Sequence, residues 1–544
     1  MIKYVSVEEM VAIERQADAS GLTYDLMMEN AGRNLADAIA EEYPDSRDAG
    51  VLGLVGSGNN GGDTLVALAR LAQQGWRASA CIVRQRSPDD PLVLRLTQAG
   101  GNVFMLSPEN GFALLEEQIQ KHAILLDGVL GTGARLPLKP ELAQVLGFVQ
   151  TRVLENKDIR VVAVDCPSGV DCDSGEHAPE SIPAHLTVTM AAVKRGLLQF
   201  PAYNLVGKLK VVGIGLGEEI PYPAAWEAIR RFVPDRQWVA STLPRRPLDA
   251  HKGTFGTALI VAGSVNYTGA AWLAGRAAYK SGAGLVTMAV PQSLHTTLAG
   301  QFPEATWLLL PDELGVIAGD AWRVLLAGME RATAILIGPG FGLEETTRAF
   351  LANLFAAGAH TRRAGIGLVP SVKTAETQPS TKLPPVVLDA DGLKLTARLP
   401  NWHKQVPAPA VLTPHPGEMS VLTGLTKETI QRERVKIAEQ YARDWGHVVV
   451  LKGAFTVIAA PDGQTAVIAV ATPALARAGT GDVLAGLIVG LRAQGLEAFP
   501  AAVAGAWIHA QAGLAAQEHL GSSASVLAGD VLSGVDAVMA DLGC

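Results

Sequence analysis

The chain has 544 residues, of which 48% are hydrophobic and 18% are charged. This length is too great for one hydrophobic core and predicts at least two large domains, while the composition excludes disorder over most of the chain. A net charge of -8 argues against a dedicated nucleic-acid binder, which normally carries a basic face. No CxxC pair, signal peptide or bilayer-length apolar run is evident, so we expect a reduced, cytoplasmic protein.

Two helices and then an alternating pattern are predicted in the N-terminal part. Ser6 and Glu9 have the spacing of a capping box that opens the first helix, and apolar residues from Leu26 to Ile39 recur at helical spacing. Short apolar runs then alternate with helical stretches, which predicts a doubly wound α/β sheet of buried parallel strands. The predicted strands are Val51–Val55, Ala78–Val83, Ala123–Leu126, Val161–Val164 and Leu186–Met190.

Three polar loops follow three of these strands: Gly56–Asp63, Asp127–Pro137 and Asp165–Asp173. Ligands of doubly wound sheets bind beyond the carboxyl ends of the strands, so we expect the three loops to surround one site. Backbone N–H groups at a helix start favour phosphate, whereas a carboxylate there is expected to handle a proton, a cation or a hydroxyl group.

Two kinds of chemistry are available in these loops. Asp127 and Asp165 each stand at the end of a strand and are candidates for general acid–base catalysis. Oxygens of Asn60, Asp127 and Ser168 could bind a hard monovalent or divalent cation.

A Pro-rich stretch with Trp residues, at residues 218–240, predicts the connection between domains at residues 1–217 and 241–544. A second alternation of strands and helices starts at Thr257–Ala262 and continues to the C-terminus. It is interrupted over residues 358–385 by a segment rich in Thr, Ser, Pro and basic residues, which we interpret as a surface insertion. The expected fold class is therefore α/β, with two three-layer α/β/α domains.

The loop Gly479-Thr480-Gly481-Asp482 precedes an apolar helical run. Backbone N–H groups at the helix start can stabilise a moving phosphoryl group, and Asp482 can accept the proton of an attacking hydroxyl group. The absence of a Walker A lysine loop argues against a P-loop NTPase. Such a loop is typical of ribokinase-like small-molecule kinases, and alone it names no substrate.

The series Gly-x-Gly-Asn-Asn-Gly-Gly-Asp, Asp-x-x-x-Gly-Thr-Gly and Asp-x-Pro-Ser-Gly over residues 1–217 closely resembles the epimerase domain of NAD(P)H-hydrate repair enzymes. The resemblance implies a Rossmann-like sheet that interconverts the R and S epimers of hydrated NADH or NADPH at C6 of the nicotinamide ring. It also implies a K⁺ ion at Asn60, Asp127 and Ser168, which leaves Asp165 as the preferred acid–base residue. The implied substrate contacts are Asn59, Asn60, Gly61, Gly62, Asp63, Gly131, Thr132, Gly133, Ala134, Arg135, Leu136, Pro137 and Asp165.

A second series, which includes Gly338-Pro339-Gly340, Thr413-Pro414-His415-Pro416 and Leu451-Lys452-Gly453-Ala454 before the Asp482 loop, resembles ADP/ATP-dependent NAD(P)H-hydrate dehydratases. The resemblance implies a ribokinase-like domain in which Asp482 deprotonates the C6 hydroxyl group for phosphorylation by ADP or ATP. ADP is the expected donor, and Mg²⁺ is expected with it. The implied nucleotide contacts are Lys452, Gly453, Ala454, Phe455, Thr456 and Gly481, and the implied contacts to the hydrate are Ala271, Gly340, His415 and Asp482.

Two other functions stay open. The chain could be a ribokinase-like kinase for a hydroxymethyl group in vitamin metabolism, with an accessory nucleotide-binding domain, and it would then yield a stable phosphorylated product. The N-terminal domain could also be a binding module without catalysis. The expected partners of the repair enzyme are NADHX, NADPHX and ADP, with no nucleic acid, no membrane and a possible homo-oligomer.

His415 and the pair Asp389 and Asp391, which belong to the same series, also have simpler interpretations. His415 could cap the turn that Pro414 and Pro416 make. Asp389 and Asp391 could be N-cap residues of a helix that starts near Gly392.

Overall fold

The protein is described by a computed structural model over residues 1–84, 86–87, 89–106, 112–359 and 382–543. Most of the predicted insertion, residues 360–381, lies outside the described residues. None of the helices in the described ranges is long and apolar enough to cross a membrane. The chain divides into two compact units, one of residues 2–233 and one that begins at Pro234 and also includes Met1.

The first unit alternates strands and helices from its second strand to its sixth. Its elements are β1 (Ile2–Val5), α1 (Val7–Ala19), α2 (Tyr24–Glu42), β2 (Val51–Val55), α3 (Asn59–Gln73), β3 (Ala78–Ile82), α4 (Pro91–Gln98), β4 (Asn102–Met105), α5 (Ala113–Lys121), β5 (Ile124–Gly128), α6 (Pro140–Glu155), β6 (Arg160–Val164), β7 (Leu186–Met190), β8 (Val193–Lys194), α7 (Tyr203–Val206), β9 (Lys208–Val212), α8 (Ala224–Ala228) and β10 (Arg231–Val233).

A seven-stranded parallel sheet in the order β4-β3-β2-β5-β6-β7-β9 forms the centre of this unit. Side chains alternate along β2, so Val51 and Val55 pack with α1, α2 and α3, whereas Leu52 and Leu54 pack with α5 and α6 on the other face. The direction of strand addition reverses between β2 and β5, which opens a crevice at their carboxyl ends. Separately, β1 pairs antiparallel with β10 and parallel with β8.

The second unit also alternates strands and helices, but its elements have other lengths and its last three elements are all helices. Its elements are α9 (Arg236–Thr242), β11 (Thr257–Val261), α10 (Thr268–Lys280), β12 (Leu285–Pro291), α11 (His295–Ala299), β13 (Thr306–Leu310), β14 (Asp312–Glu313), β15 (Val316–Ile317), α12 (Trp322–Gly328), β16 (Ala334–Ile337), α13 (Glu345–Ala359), β17 (Val386–Leu388), α14 (Ala390–Thr396), α15 (Trp402–Gln405), β18 (Val411–Leu412), α16 (Pro416–Thr423), α17 (Lys427–Arg432), α18 (Arg434–Trp445), β19 (Val448–Leu451), β20 (Val457–Ala459), β21 (Thr465–Val467), α19 (Thr480–Ala493), α20 (Ala498–Leu520) and α21 (Ala528–Asp541).

The sheet of the second unit runs β13-β12-β11-β16-β17-β18-β19-β20-β21 and is parallel from β13 to β19. Its central strands are fully apolar, such as β16, because both faces are covered. Helices α12 to α18 contribute to the core on one face, and α10, α19, α20 and α21 pack together on the other, where α19 contacts β11 and β16. Strand order reverses between β11 and β16, the counterpart of the crevice in the first unit.

These two sheets confirm the predicted fold class of two three-layer α/β/α domains, Rossmann-like and then ribokinase-like. The capping box of Ser6 and Glu9 is present, and both glycine-rich acidic loops begin helices, α3 at Asn59 and α19 at Thr480. The predicted connection at residues 218–240 contains α8, β10 and the start of α9.

Candidate active sites

The first candidate site is a cavity of about 470 Å³ at the carboxyl ends of β2, β5 and β6. Helix α3 begins there directly after β2. A Cβ atom at Gly61 would lie only 2.1 Å from the carbonyl oxygen of Gly56, so glycine is required for this close approach. The predicted residues that line the cavity are Asn59, Asn60, Asp63, Gly131, Thr132, Gly133 and Asp165.

The three residues predicted to hold a cation lie in one hydrogen-bonded network. Oδ1 of Asp127 accepts from Ser168 Oγ at 2.5 Å, and Oδ2 accepts from Ser168 N at 2.8 Å. Ser168 Oγ accepts from Leu130 N at 2.9 Å, and Asn60 Nδ2 donates to the Leu130 carbonyl at 3.0 Å. Burial raises the pKa of Asp127 to about 6, although the hydrogen bonds from Ser168 lower it.

Asp165 lines the cavity and is held by one of its two carboxylate oxygens. Oδ1 accepts hydrogen bonds from Thr189 Oγ1 and Met190 N, each at 3.0 Å, and pairs with Lys194 Nζ. Lys194 is only 1% exposed. Oδ2 has no hydrogen-bond partner among the described residues. Asp165 also has a φ of 64°, a strained conformation that such contacts maintain.

Two further carboxyl groups face the same cavity. Burial raises the pKa of Asp63 well above its ordinary value, and repulsion by Asp165 and Glu14 adds to the rise, which Lys194 opposes. The pKa of Glu14 is also raised, first by burial; Lys194 lowers it and Asp165 raises it. The cavity thus combines a lysine-paired carboxylate with two carboxyl groups that bind protons more readily than usual, an arrangement suited to proton transfer.

The remaining predicted residues of this site lie around the cavity. Gly61 and Gly62 are buried in the first turn of α3, and residues 134–137 continue the loop beyond the lining residues. Asp127 and Ser168 are fully buried beneath the rim. Glu14 and Lys194 were not predicted, because they come from α1 and β8, far from the three loops in sequence.

The second candidate site is a cavity of about 410 Å³ beside the start of α19. Its lining is mostly apolar near α20 and polar near the end of β19. Five of the six predicted nucleotide contacts line it, namely Lys452, Gly453, Ala454, Thr456 and Gly481, together with His415. Phe455 lies within the same loop but is not among the lining residues.

Lys452 is the centre of a buried charge cluster at this site. Its Nζ atom lies 2.7 Å from Asp389 Oδ1 and 3.6 Å from Glu418 Oε2. Burial lowers the pKa of Lys452, but attraction to Asp389 and Glu418 outweighs burial, so the pKa is raised overall. A Cβ atom at Gly481 would be 3.4 Å from the same Nζ, which places the ammonium group at the start of α19.

Asp482 lies in the first turn of α19, next to the lining residue Gly481, and is not itself among the lining residues. Burial and then repulsion by Asp389 raise its pKa to about 7, while Lys452 lowers it. A base with a pKa near the operating pH transfers protons most effectively.

His415 and Asp389 each have a capping position and a second role. His415 Nδ1 accepts from Gly417 N at 2.9 Å and so caps α16, as the simpler interpretation predicts, and the residue also lines the cavity. Asp389 precedes α14, but its side chain makes no capping bond; it accepts instead from Thr413 Oγ1 at 2.6 Å and from Lys452. Asp389 thus occupies the N-cap position of α14, as the simpler interpretation predicts, although its side chain does not cap the helix, and Asp391 lies in the first turn.

Ala271 and Gly340 are predicted contacts to the hydrate that do not line this cavity. Ala271 is fully buried on α10. Gly340 has a φ of 66°, and a Cβ atom there would lie 2.8 Å from the Tyr267 carbonyl oxygen. Their contacts to a hydrated dinucleotide stay predictions.

Comparison with known proteins assigns a family to each part of the chain. Residues 258–535 match a family model described as NAD(P)H-hydrate dehydratase, and residues 25–196 match one described as YjeF-related protein N-terminus. A crystal structure of the ADP/ATP-dependent NAD(P)H-hydrate dehydratase from Bacillus subtilis, co-crystallised with ATP and Mg²⁺, is 30% identical. It covers 57% of this chain and 99% of its own, with a TM-score of 0.45.

Full-length relatives carry both parts. The bifunctional NAD(P)H-hydrate repair enzyme of Moorella thermoacetica is 35% identical over 99% of this chain and 97% of its own length. The enzyme of the same name from Salinibacter ruber is also 35% identical, over 96% and 93% of the two chains. Because both family models match and these relatives cover nearly the whole chain, the chain belongs to the family of bifunctional NAD(P)H-hydrate repair enzymes.

Proposed function

We propose that residues 1–217 epimerise the R and S forms of hydrated NADH and NADPH, and that residues 241–544 dehydrate the S form at the expense of ADP. AMP, phosphate and the reduced dinucleotide are the products. The observation that carries the proposal is the position of Asp482 at the start of α19, directly after Thr480 and Gly481, which line the second cavity together with Lys452. Burial raises the pKa of Asp482 to about 7.

The second site can convert a poor leaving group into a good one. Hydroxide leaves poorly, whereas phosphate leaves well. Asp482 accepts the proton of the C6 hydroxyl group, and that oxygen forms a bond to the terminal phosphorus of ADP while the bond from phosphorus to AMP breaks. The first N–H groups of α19 and the Lys452 ammonium group stabilise negative charge on the moving phosphoryl group.

The second half of this reaction restores the ring. The lone pair of the ring nitrogen expels phosphate from C6, and loss of a proton from the neighbouring C5 gives the dihydronicotinamide. Lys452 keeps its charge through these steps because Asp389 and Glu418 hold its pKa high. Its position between these carboxylates and Gly481 supports a role in orienting the nucleotide phosphates.

At the first site we assign general acid–base catalysis to Asp165. Its Oδ1 atom is anchored by three donors, which leaves Oδ2 for a proton of the substrate. The configuration at C6 is scrambled when the C6 hydroxyl group leaves and returns, or when the ring opens and closes again. A positioned carboxylate assists either route by moving the proton of that hydroxyl group. Asp127 is fully buried and bonded to Ser168, which favours a structural or cation-binding role for it.

The oxygens around Asp127 fit a weakly charged cation such as K⁺. They comprise the Asp127 carboxylate, the Ser168 hydroxyl group and the Leu130 carbonyl, joined in one largely buried network that Asn60 enters through its Nδ2 atom. The Oδ1 atom of Asn60 is a further oxygen of the kind that such a cation binds. A bound cation would offset the buried charge of Asp127 and fix the loops that carry Asn60 and Ser168.

Mg²⁺ at the second site fits as a companion of the nucleotide. The described residues contain no group of three His, Cys, Asp or Glu side chains placed to hold a metal ion. We therefore expect Mg²⁺ to enter with ADP, whose phosphate charge it would neutralise. A cytoplasmic location and a homo-oligomer stay predictions.

One assay tests the proposal against a vitamin kinase. Purified protein receives the S hydrate with ADP, and absorbance of reduced nicotinamide is followed together with free phosphate. The repair reaction produces both in equal amounts. A phosphorylated product that accumulates without absorbance would instead identify a kinase.

A further inference from the structure

His509 on α20 lines the second cavity, and only 8% of it is exposed. Its Nε2 atom is buried and has no hydrogen-bond partner among the described residues. The buried His447 differs, because its Nδ1 accepts from Ala410 N at 3.1 Å and its Nε2 contacts the His403 carbonyl at 2.9 Å. Buried polar atoms are nearly always paired, and His509 lines the cavity, so the missing partner of Nε2 points to a group that binds there.

The His509 ring is neutral near pH 7. Burial lowers its pKa to about 4, and Lys452 contributes to the fall, while a hydrogen bond to the Thr480 backbone raises it. A contact that raises the pKa of an imidazole is one in which the ring donates, here to a carbonyl oxygen. A neutral imidazole has one N–H group and one lone pair, so the unpaired nitrogen is left as an acceptor.

An acceptor at this position selects among the parts of a nucleotide. Phosphate oxygens carry lone pairs and negative charge, so they repel an acceptor nitrogen such as Nε2 of His509. The amino group of adenine and the ribose hydroxyl groups are donors. The cavity wall near His509 is apolar, with Ala506, Ala510 and Leu475, which suits a nucleoside, whereas the cationic Lys452 suits the phosphates.

We infer that His509 is a specificity-determining residue that accepts a hydrogen bond from the nucleoside part of the nucleotide, through the adenine amino group or a ribose hydroxyl group. The inference rests on the proposed function, in which this cavity binds ADP. It predicts that the enzyme discriminates against nucleotides that lack the donor.

Calorimetric titration of the full-length protein tests the contact without relying on turnover. The ligands are ADP, inosine diphosphate, in which an oxygen replaces the amino group, and the 2′-deoxy and 3′-deoxy forms of ADP. The parent protein should bind one of the three analogues about five-fold more weakly than ADP, the usual effect of one neutral hydrogen bond. His509→Phe should bind ADP about five-fold more weakly and should bind that analogue no worse than ADP.

Two further variants separate recognition from packing. His509→Gln carries an amide oxygen that can replace the acceptor, so it should recover part of the discrimination. His519→Phe changes an exposed histidine on the same helix and should bind all four nucleotides like the parent.

Equal affinity of the parent for all four nucleotides overturns the inference, and this result does not depend on how any variant folds. An equal loss for all four in His509→Phe overturns it as well, because it shows that His509 only supports Thr480. A parent that binds none of the four contradicts the proposed function itself.

Discussion

Lys452 Nζ and Asp389 Oδ1 lie 2.7 Å apart beside the base of the second site, and they act on that base in opposite directions. Asp389 raises the pKa of Asp482, whereas Lys452 lowers it. Burial is the main cause of the raised pKa of Asp482, and the two members of the ion pair adjust it in opposite directions.

Dehydration should therefore depend on pH in a way that Asp389 controls. Asp482 acts as a base only when ionised, and its pKa of about 7 means that the single-turnover rate rises with pH through this value. Asp389→Asn removes a repelling charge, so the acid limb of the profile should move to lower pH. Asp249→Asn, at an exposed position, serves as the control. A limb that moves to higher pH in Asp389→Asn would contradict this electrostatic account.

Lys194→Met should destabilise the first unit by about 3 kcal/mol, because it leaves the Asp165 carboxylate, which is only 13% exposed, without its buried partner. Lys208→Met removes an exposed pair with Glu42 and should cost less than about 1 kcal/mol. Thermal and denaturant unfolding of both variants, beside the parent, measure the difference. Similar stabilities for the two variants would mean that the pair with Lys194 is not needed to hold Asp165.

Gly61→Ala should abolish epimerisation, because the new methyl group would collide with the Gly56 carbonyl oxygen and displace the start of α3. Gly147→Ala on α6 is the control, since the nearest atom to a Cβ atom there, Cγ of Glu180, would lie at an ordinary contact distance of 3.5 Å and Gly147 does not line the cavity. Epimer exchange, followed by chromatography without nucleotide, compares the two. Full activity in Gly61→Ala would show that this close approach is not required.

Replacement of K⁺ by Na⁺ should slow epimerisation and leave dehydration of the S form unchanged. Ser168→Ala should weaken the dependence on K⁺, because it removes one oxygen ligand and one hydrogen bond to Asp127. Rates measured in chloride salts of each cation at equal ionic strength test this. An epimerisation rate that is the same in both salts removes the proposed ion.

The fold and the loops could be predicted from sequence because their signals are local. Apolar runs mark buried strands, and glycine-rich loops with Asp63 and Asp482 mark helix starts. Glu14, Lys194 and His509 could not be predicted, since only the topology brings α1, β8 and α20 to the two cavities. The partner of the Asp389 side chain could not be predicted for the same reason, because Lys452 lies on a loop that follows a different strand.

The central claim is that the two reactions occur at two separate sites. The direct measurement supplies ADP and a mixture of both epimers to the parent, to Asp482→Asn and to Asp165→Asn, and follows each epimer by chromatography. Asp482→Asn should lose dehydration by a factor of about 10²–10⁴ yet still exchange the epimers. Asp165→Asn should consume the S epimer at the parental rate and the R epimer slowly. Loss of both activities in either variant, with the fold intact, would contradict the account.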